Sequence, residues 1–221
     1  FEGTVALRRL SLPSPPGVPF LAGLRIGVVT DVHLSRAVSE KQTLKAVGLL
    51  NSLSLDLLLL LGDFVSVERR QTYRVMDCLE LFSSVPTRLG AYAVPGNHDL
   101  AAEGPSPLAG AHEVGITDLT NTGVTVPFGG SGFRIIGVDD LSRGAPDLEA
   151  AFTDAEEPVL FMTHHPDIVM DPRFPSDKVW LALAGHLHGG QIRLPLIGSP
   201  YLPTKYPAVF GRSEDMICVR D

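Results

Sequence analysis

Five short polar segments of this chain each follow an apolar run of strand length, and together they contain six of its seven histidines. Continuous apolar runs of this length are typical of strands covered on both faces, as in layered α/β folds. In such folds, ligands collect at the carboxyl ends of the strands, where loops leave a rigid scaffold. The pattern therefore predicts an α/β fold with a metal site built by loops from distant parts of one sheet. The segments are Asp31–His33 after Ile26–Val29, Gly62–Asp63 after Leu57–Leu61, Gly96–Asp99 after Ala91–Val94, Thr163–Asp167 after Val159–Met162, and Gly185–Gly190 after Trp180–Ala184.

The rest of the chain predicts two helices, a short third helix and an antiparallel hairpin. Ser39–Leu53 has a helical apolar face, and Ser39 with Gln42 forms a capping pattern at its start. Alternation around a glycine-rich turn predicts antiparallel strands in Gly123–Asp139. The half-alternating opening segment predicts an edge strand, with a membrane-contacting arm as the alternative. The remaining ranges are Thr72–Ser83 and Asp147–Phe152 for the other helices, Val5–Leu12 for the opening segment and Pro13–Pro19 for a proline-rich link.

The composition is that of an ordinary globular protein with one sizeable core. With 221 residues, 44% of them apolar, the chain predicts a single domain over 1–221, in which 1–24 form the edge strand and proline-rich link and 25–221 carry the site. A formal net charge of −7 argues against nucleic acid as a partner. No apolar run reaches the ~18 residues of a membrane-spanning helix. Because the chain begins at Phe1 rather than Met, removal of an upstream segment is one expectation, and cytoplasmic and membrane-associated locations both stay open.

The residue types in the polar segments predict a centre for two divalent metal ions. Asp31 and His33 are two residues apart, so in an extended segment both side chains project from one face, and His186 and His188 repeat that spacing. Carboxylate, imidazole and amide ligands without thiolate select manganese, iron or zinc. Seven candidate ligands are too many for one ion and suit two ions that share a bridge, ~3.5–4 Å apart. The candidates are Asp31, His33, Asp63, Asn97, His164, His186 and His188.

In these segments the chain resembles the calcineurin-like metallophosphoesterase family, whose pattern D-x-H, G-D, G-N-H-[DE], H and G-H-x-H it meets in order. The resemblance implies a four-layer αββα sandwich with two central mixed sheets. It also implies that three residues hold each ion while Asp63 bridges the two. The implied sets are Asp31, His33 and His188 for one ion, and Asn97, His164 and His186 for the other.

The same resemblance implies an enzyme that hydrolyses a phosphate mono-, di- or pyrophosphate ester by metal-bound hydroxide. Manganese is the expected metal, with iron and zinc as alternatives. Asn97 and His98 are expected to contact the substrate, with His98 donating a hydrogen bond or a proton. Asp99 is expected to orient His98. The family's pattern Gly-Asp-x-x-Asp has its second Asp where this chain has Ser66, so the partner of His98 stays open.

Two alternatives to a generic phosphate ester remain at this point. The segments around His164 and His186 are similar to those of single-domain bacterial enzymes, some of them membrane-linked and some acting on UDP-diacylglucosamine. A nucleotide-lipid substrate with peripheral membrane contact is therefore the first alternative. A non-catalytic scaffold of the same fold is the second, and it would be expected to lack some of the ligands.

Several other polar residues are interpreted as structural. His165, the competing ligand beside His164, is expected either to support the site or to lie at the surface, and His112 is expected to be solvated. Surface charge is favoured over the binding of a second phosphate or a lipid head group for Arg193, Lys205 and Arg212. Packing is favoured over an apolar lid for the proline-rich Pro195–Tyr206. Turn or supporting roles are expected for Asp139, Asp140, Asp167 and Gln191.

Overall fold

The computed structural model describes residues 5–14, 17–188, 202–210 and 217–219 of the chain. Within these ranges the chain forms nine strands and five α-helices. The strands are β1 (Ile26–Val29), β2 (Leu57–Leu60), β3 (Ala91–Ala93), β4 (Ile116–Asp118), β5 (Thr122–Phe128), β6 (Ser131–Gly137), β7 (Val159–Thr163), β8 (Val179–Ala184) and β9 (Ile217–Val219). The helices are α1 (Glu40–Asn51), α2 (Val75–Ser83), α3 (Asn97–Glu103), α4 (Leu148–Ala151) and α5 (Pro207–Phe210).

The strands form two sheets. The first sheet has the order β1-β2-β3-β4, and every neighbouring pair in it is parallel. The second sheet has the order β5-β6-β7-β8-β9, with an antiparallel pair at each edge and parallel pairs between β6, β7 and β8. All the predicted apolar runs coincide with strands to within one residue, and the predicted hairpin is the β5–β6 pair, which turns at Gly129–Gly130.

The run of five leucines after Asp56 shows how the layers are built. Side chains of a strand alternate between its two faces, so a strand that is buried on both sides is apolar throughout. Leu58 and Leu60 pack in one cluster with α1 and α2, whereas Leu57, Leu59 and Leu61 pack against the second sheet. A third cluster covers the outer face of the second sheet with α4. Three apolar interfaces between four layers confirm the αββα sandwich, in which the first sheet is parallel rather than mixed.

The predicted helices are confirmed, and their ends follow from capping. α1 begins after Ser39, whose backbone N–H donates to the Gln42 side chain at 3.2 Å. α2 begins later than the predicted Thr72, because Asp77 accepts from the backbone N–H of Arg74 at 2.7 Å and so caps the helix there. These caps satisfy N–H groups that have no partner within the helix.

The opening segment differs from its prediction. Residues 5–14 form no strand, and Leu7, Leu10 and Leu12 are exposed. Among the described residues, no helix combines the length and apolarity needed to cross a bilayer. Gln191, Arg193, Arg212, most of Pro195–Tyr206 and the side chain of Cys218 lie outside the described residues, whereas Cys78 is buried as expected.

Candidate metal centre

The candidate ligands meet where the carboxyl ends of the two sheets lie side by side. Asp31, His33, Asp63 and Asn97 follow strands of the first sheet. The other three ligands follow β7 and β8 of the second sheet; they are His164, His186 and His188. The prediction of a site on one sheet was therefore wrong, because the ligands come from both sheets. The carboxyl end of a parallel strand is where its chain turns into a loop, so both sheets deliver loops to the same place.

Asp31, His33 and His188 form a first cluster. The Nε2 atom of His188 lies 3.2 Å from Oδ1 of Asp31 and 3.3 Å from Nε2 of His33. Their potential ligand atoms all lie within 4.8 Å of one another. Two atoms that bind one ion at ~2.1 Å are ~3.0–3.4 Å apart for angles between square and tetrahedral, so the close contacts fit a shared cation.

Asn97, His164 and His186 form a second cluster. Nε2 of His164 lies 3.2 Å from Oδ1 of Asn97 and 3.2 Å from Nδ1 of His186. The opposite ring nitrogen of His164 lies 2.8 Å from the carbonyl oxygen of Leu61, to which Nδ1–H donates. That bond leaves a lone pair on Nε2 in the neutral ring, as a metal ligand requires.

Asp63 lies between the two clusters. Its Oδ2 atom is 3.5 Å from Nε2 of His33 and 3.3 Å from Nε2 of His164. Its Oδ1 atom accepts from the backbone N–H of His98 at 2.8 Å, which fixes the carboxylate. Asp63 therefore has a carboxylate oxygen that lies close to an imidazole of each cluster.

The electrostatics of the second cluster favour a positive charge among its ligands. Burial raises the pKa of Asp63, but the hydrogen bond and charge of His164 outweigh burial and lower it to about 2. Burial likewise opposes charge on His164, yet the bond to Asp63 raises its pKa to about 9. Burial and the charge on His164 lower the pKa of His186 to about 4. His164 therefore carries a proton against the charged Asp63, and a metal ion would displace that proton on binding. His186 stays neutral, the state in which imidazole binds metals.

Five of the seven candidate ligands have a left-handed backbone. Non-glycine residues adopt this conformation rarely, at a cost of ~1–3 kcal/mol each, and it is concentrated at functional sites. Among the described residues only two other non-glycine positions, Asn121 and Asp154, have a positive φ. The five are Asp31 (54°), His33 (52°), Asp63 (54°), His186 (71°) and His188 (50°).

The glycines of the polar segments permit close contact between the loops. A Cβ atom on Gly96 would overlap the backbone nitrogen and Oδ1 of Asp63, and one on Gly62 would overlap the backbone of Gly96. A Cβ atom on Gly185 would overlap the hydroxyl of Thr30. Each glycine is thus required by a neighbouring loop that carries a ligand.

His98 and Asp99 are both near the centre, but they do not form the predicted pair. The ring of His98 lies edge-on to that of His33, with centroids 4.7 Å apart, and its buried Nδ1 has no hydrogen-bond partner. Asp99 instead accepts from the backbone N–H groups of Gly96, Phe64 and Val65. The expectation that Asp99 orients His98 was therefore wrong. Ser66 also points elsewhere, because its hydroxyl donates to the carbonyl oxygen of His33 at 3.4 Å.

His165 supports the second cluster rather than joining it. It is buried, its Nδ1 accepts from the backbone N–H of Asp167 at 3.3 Å, and its ring stacks on His186 with centroids 4.3 Å apart. Asp167 in turn accepts from the backbone N–H of Lys205 at 2.8 Å and from the hydroxyl of Thr204. This leaves the exposed Lys205 in the segment that is tied to the loop after His164.

The other polar residues considered in the sequence, Asp139, Asp140 and His112, lie in turns or at the surface. Asp139 accepts from the backbone N–H groups of Asp140 and Ala145, as a turn former does. Oδ1 of Asp140 also accepts from a turn, although its Oδ2 is buried without a partner. His112 is exposed as predicted.

One supporting residue was missed by the sequence analysis. The hydroxyl of Thr30 donates to Oδ2 of Asp31 at 2.7 Å and lies 3.3 Å from the carbonyl oxygen of Leu61. It therefore holds the carboxylate of the first cluster from behind. The sequence does contain a signal for this role. Thr30 is a hydroxyl residue between the apolar run Ile26–Val29 and Asp31, where a strand would otherwise continue with an apolar residue.

Comparison with known proteins finds relatives among the phosphoesterases. A family model described as calcineurin-like phosphoesterase matches residues 24–190. "Phosphodiesterase YaeI" of Escherichia coli is 30% identical over 83% of this chain and 67% of its own length. "Transmembrane protein with metallophosphoesterase domain" of Danio rerio is 27% identical over 78% of this chain, which spans only 42% of that relative. "UDP-2,3-diacylglucosamine pyrophosphatase LpxG" of Chlamydia trachomatis is 27% identical over 85% of this chain and 70% of its own length.

Proposed function

Because this chain belongs to the calcineurin-like phosphoesterase family, we propose that it hydrolyses phosphate esters with the help of two divalent cations. Asp31, His33 and His188 would hold one cation. Asn97, His164 and His186 would hold the other, and Asp63 would bridge them. Manganese is the proposed metal, with iron and zinc as alternatives, because the donors are imidazole and oxygen without thiolate.

The observation that carries this proposal is the position of the Asp63 carboxylate. A single oxygen that lies 3.5 Å from a histidine of one cluster and 3.3 Å from a histidine of the other is suited to a bridging ligand. When bound, two divalent cations would neutralise charge on phosphoryl oxygens and lower the pKa of water towards ~7. The donor set supports this use, since neutral imidazoles and carboxylates leave net positive charge for an anionic substrate.

The chain's own residues would position the cations and the ester. Thr30 and the Leu61 carbonyl would orient Asp31 and His164, as outer hydrogen bonds do for metal ligands. His98 would approach the substrate beside His33 and donate a hydrogen bond to a phosphoryl oxygen or a proton to the leaving oxygen. Such a role contributes ~10²–10⁴ in rate. Nδ1 of His98 is buried without a hydrogen-bond partner, so no described residue fixes which ring nitrogen of His98 carries the proton.

Metal content measured together with turnover tests the proposal. Asp63→Asn and His186→Ala are expected to lose most of the bound manganese and the hydrolysis of bis-p-nitrophenyl phosphate. His98→Ala is expected to keep its manganese and to lose rate ~10²-fold or more. His112→Ala, a histidine replaced outside the centre, serves as the control and should change neither quantity. Full activity in Asp63→Asn would contradict the bridging role, and full activity in His98→Ala would remove that residue from the mechanism.

A further inference from the structure

A groove of about 1290 Å³ opens beside the first cluster and extends away from it along β1; we call it the β1 groove. Asp31 and His188 of the first cluster line it, and so does Arg25, just before the first residue of β1. From residue 25 to residue 31 an extended strand covers ~20 Å. The volume exceeds the ~300–1,000 Å³ of most small-ligand sites, so a phosphate group alone would leave most of the groove unfilled.

The walls of the β1 groove are an open part of the apolar interior between the two sheets. Ile26 and Val28 project from the same face of β1, and Ile26 packs against the cluster between the sheets. Val28 is nevertheless 44% exposed, because β1 is the edge strand of its sheet. Leu181 and Leu183 of β8 line the opposite side with their neighbour Trp180. These side chains leave apolar surface open along a cleft, as the walls of a ligand-binding site do.

The opening segment of the chain completes the groove. Leu7, Leu10 and Leu12 line it, and they are 37%, 52% and 42% exposed. Apolar side chains on both sides with a metal centre at one end favour an amphiphilic ligand. Its charged head would lie at Asp31 and His188, and its hydrocarbon part would lie along β1.

We propose that the β1 groove binds the aliphatic chain of a phosphate ester whose phosphate lies at the metal centre. This inference rests on the proposed function and narrows its substrate class to esters that carry a long alkyl or acyl chain. Each methylene that leaves water in the groove should tighten binding roughly fourfold. Burial of only four methylenes would therefore strengthen binding by more than 100-fold.

Trp180 allows chain binding to be measured without turnover, because it is the single tryptophan of the protein and lines the groove. Dodecyl phosphate, kept below the concentration at which it forms micelles, should change the tryptophan fluorescence at ~100-fold lower concentration than ethyl phosphate. Val28→Glu places a charge in the groove at an exposed position and should weaken dodecyl phosphate binding at least tenfold. Leu10→Glu tests the other wall in the same way.

Leu44→Glu is the matched control, because Leu44 is 50% exposed on α1 and does not line the groove. It should leave dodecyl phosphate binding unchanged. Equal affinity for the dodecyl and ethyl phosphates, or an unchanged affinity in both groove variants, would overturn the inference. A fluorescence response to anionic phospholipid vesicles but none to dodecyl phosphate would also overturn it, and would identify this face as a membrane-docking surface.

Turnover separates this inference from the proposed function. With manganese, the dodecyl p-nitrophenyl phosphodiester should have a much lower KM than the ethyl diester, and Val28→Glu should remove that difference without changing ethyl turnover. Hydrolysis of both diesters with the same KM would refute the chain site and leave the phosphoesterase proposal intact. Dodecyl phosphate binding without hydrolysis of either diester would refute the phosphoesterase proposal instead.

Discussion

Replacement of Asp99 by Asn would test what holds the loops of the metal centre together. The Asp99 carboxylate is fully buried and accepts from the backbone N–H groups of Phe64 at 2.8 Å, Val65 at 3.2 Å and Gly96 at 2.9 Å. An amide of the same size has one accepting oxygen and two N–H donors. If that oxygen keeps accepting from the N–H groups of Phe64 and Val65, the amide nitrogen faces the N–H of Gly96. The hydrogen bond to Gly96 is then replaced by two donors that point at each other.

Burial and the charge of Asp63 raise the pKa of Asp99 to about 7, so the comparison is made at about pH 8, where the Asp99 carboxylate is charged. A hydrogen bond to a charged group contributes ~1.5–3 kcal/mol to stability. For a domain of this length that loss corresponds to a decrease in Tm of ~3–12 °C. Since Phe64 follows Asp63 and Gly96 precedes Asn97, displacement of the loops also moves two candidate ligands. Loss of supporting contacts of this kind typically weakens metal binding ~10–100-fold.

Thermal unfolding and manganese titration of Asp99→Asn would measure the two effects. Asp139→Asn is the matched control, because Asp139 is also buried and accepts from two backbone N–H groups at 2.8 Å but is not a candidate ligand. The control should lose stability and keep its manganese affinity. Asp99→Asn should lose both.

A double-mutant cycle with His98→Ala decides whether Asp99 acts through the loops or through that histidine. If Asp99 supports the loops, its replacement should lower manganese affinity by the same factor whether or not His98 is present. Normal manganese affinity in Asp99→Asn, with a loss of rate that vanishes in the His98→Ala background, would refute the role of Asp99 in supporting the loops. That result would restore the expectation drawn from the sequence, that Asp99 orients His98.

Two further substitutions test the contacts between the loops. Thr30→Val removes the hydroxyl that donates to Asp31 at 2.7 Å, and manganese titration should show ~10–100-fold weaker binding that Thr30→Ser restores; an unchanged affinity would exclude this role. Gly96→Ala places a Cβ atom on the Asp63 backbone and carboxylate, whereas Gly48→Ala in α1 meets open space. The first should therefore lose most bound manganese, and the second should keep it and gain ~0.5–1 kcal/mol of stability. Full metal content in Gly96→Ala would contradict the close approach of these loops.

The strands and the ligand positions could be predicted from the sequence because two local signals coincide. A strand covered on both faces must be apolar at every position, and Leu57–Leu61 is an example whose residues are at most 1% exposed. Polar residues become possible where such a strand ends, because the loop that follows the strand lies outside the apolar core. The change from leucine to Gly62-Asp63 therefore marks both the end of β2 and the start of the site.

The number of sheets and the partner of Asp99 could not be predicted from the apolar pattern, because the first depends on tertiary structure and the second on the local geometry of a helix. Apolar runs do not record which sheet a strand joins, so one sheet could not be told from two. His98 and Asp99 are neighbours in sequence, but both lie in α3, where adjacent residues do not face each other. Asp99 is the third residue of that helix and reaches back to Gly96, as the third residue of a capping box does. Sequence adjacency therefore suggested a partner that the helix excludes.

Three of the left-handed ligands, Asp31, His33 and Asp63, are stabilised by pairing between their loops, which continues the ladder between β1 and β2. Beyond the strands, three backbone N–H groups donate to backbone carbonyl oxygens of the facing loop: Asp31 to Gly62 at 3.0 Å, His33 to Asp63 at 2.9 Å, and Leu34 to Phe64 at 2.8 Å. Leu34 and Phe64 are fully buried, so each loop returns to the core directly after its ligand. Backbone strain of ~1–3 kcal/mol per ligand persists where the surroundings over-determine the conformation. Since these bonds join backbone to backbone, the ligand geometry is built by the protein itself, and cations would bind to loops that are already arranged to receive them.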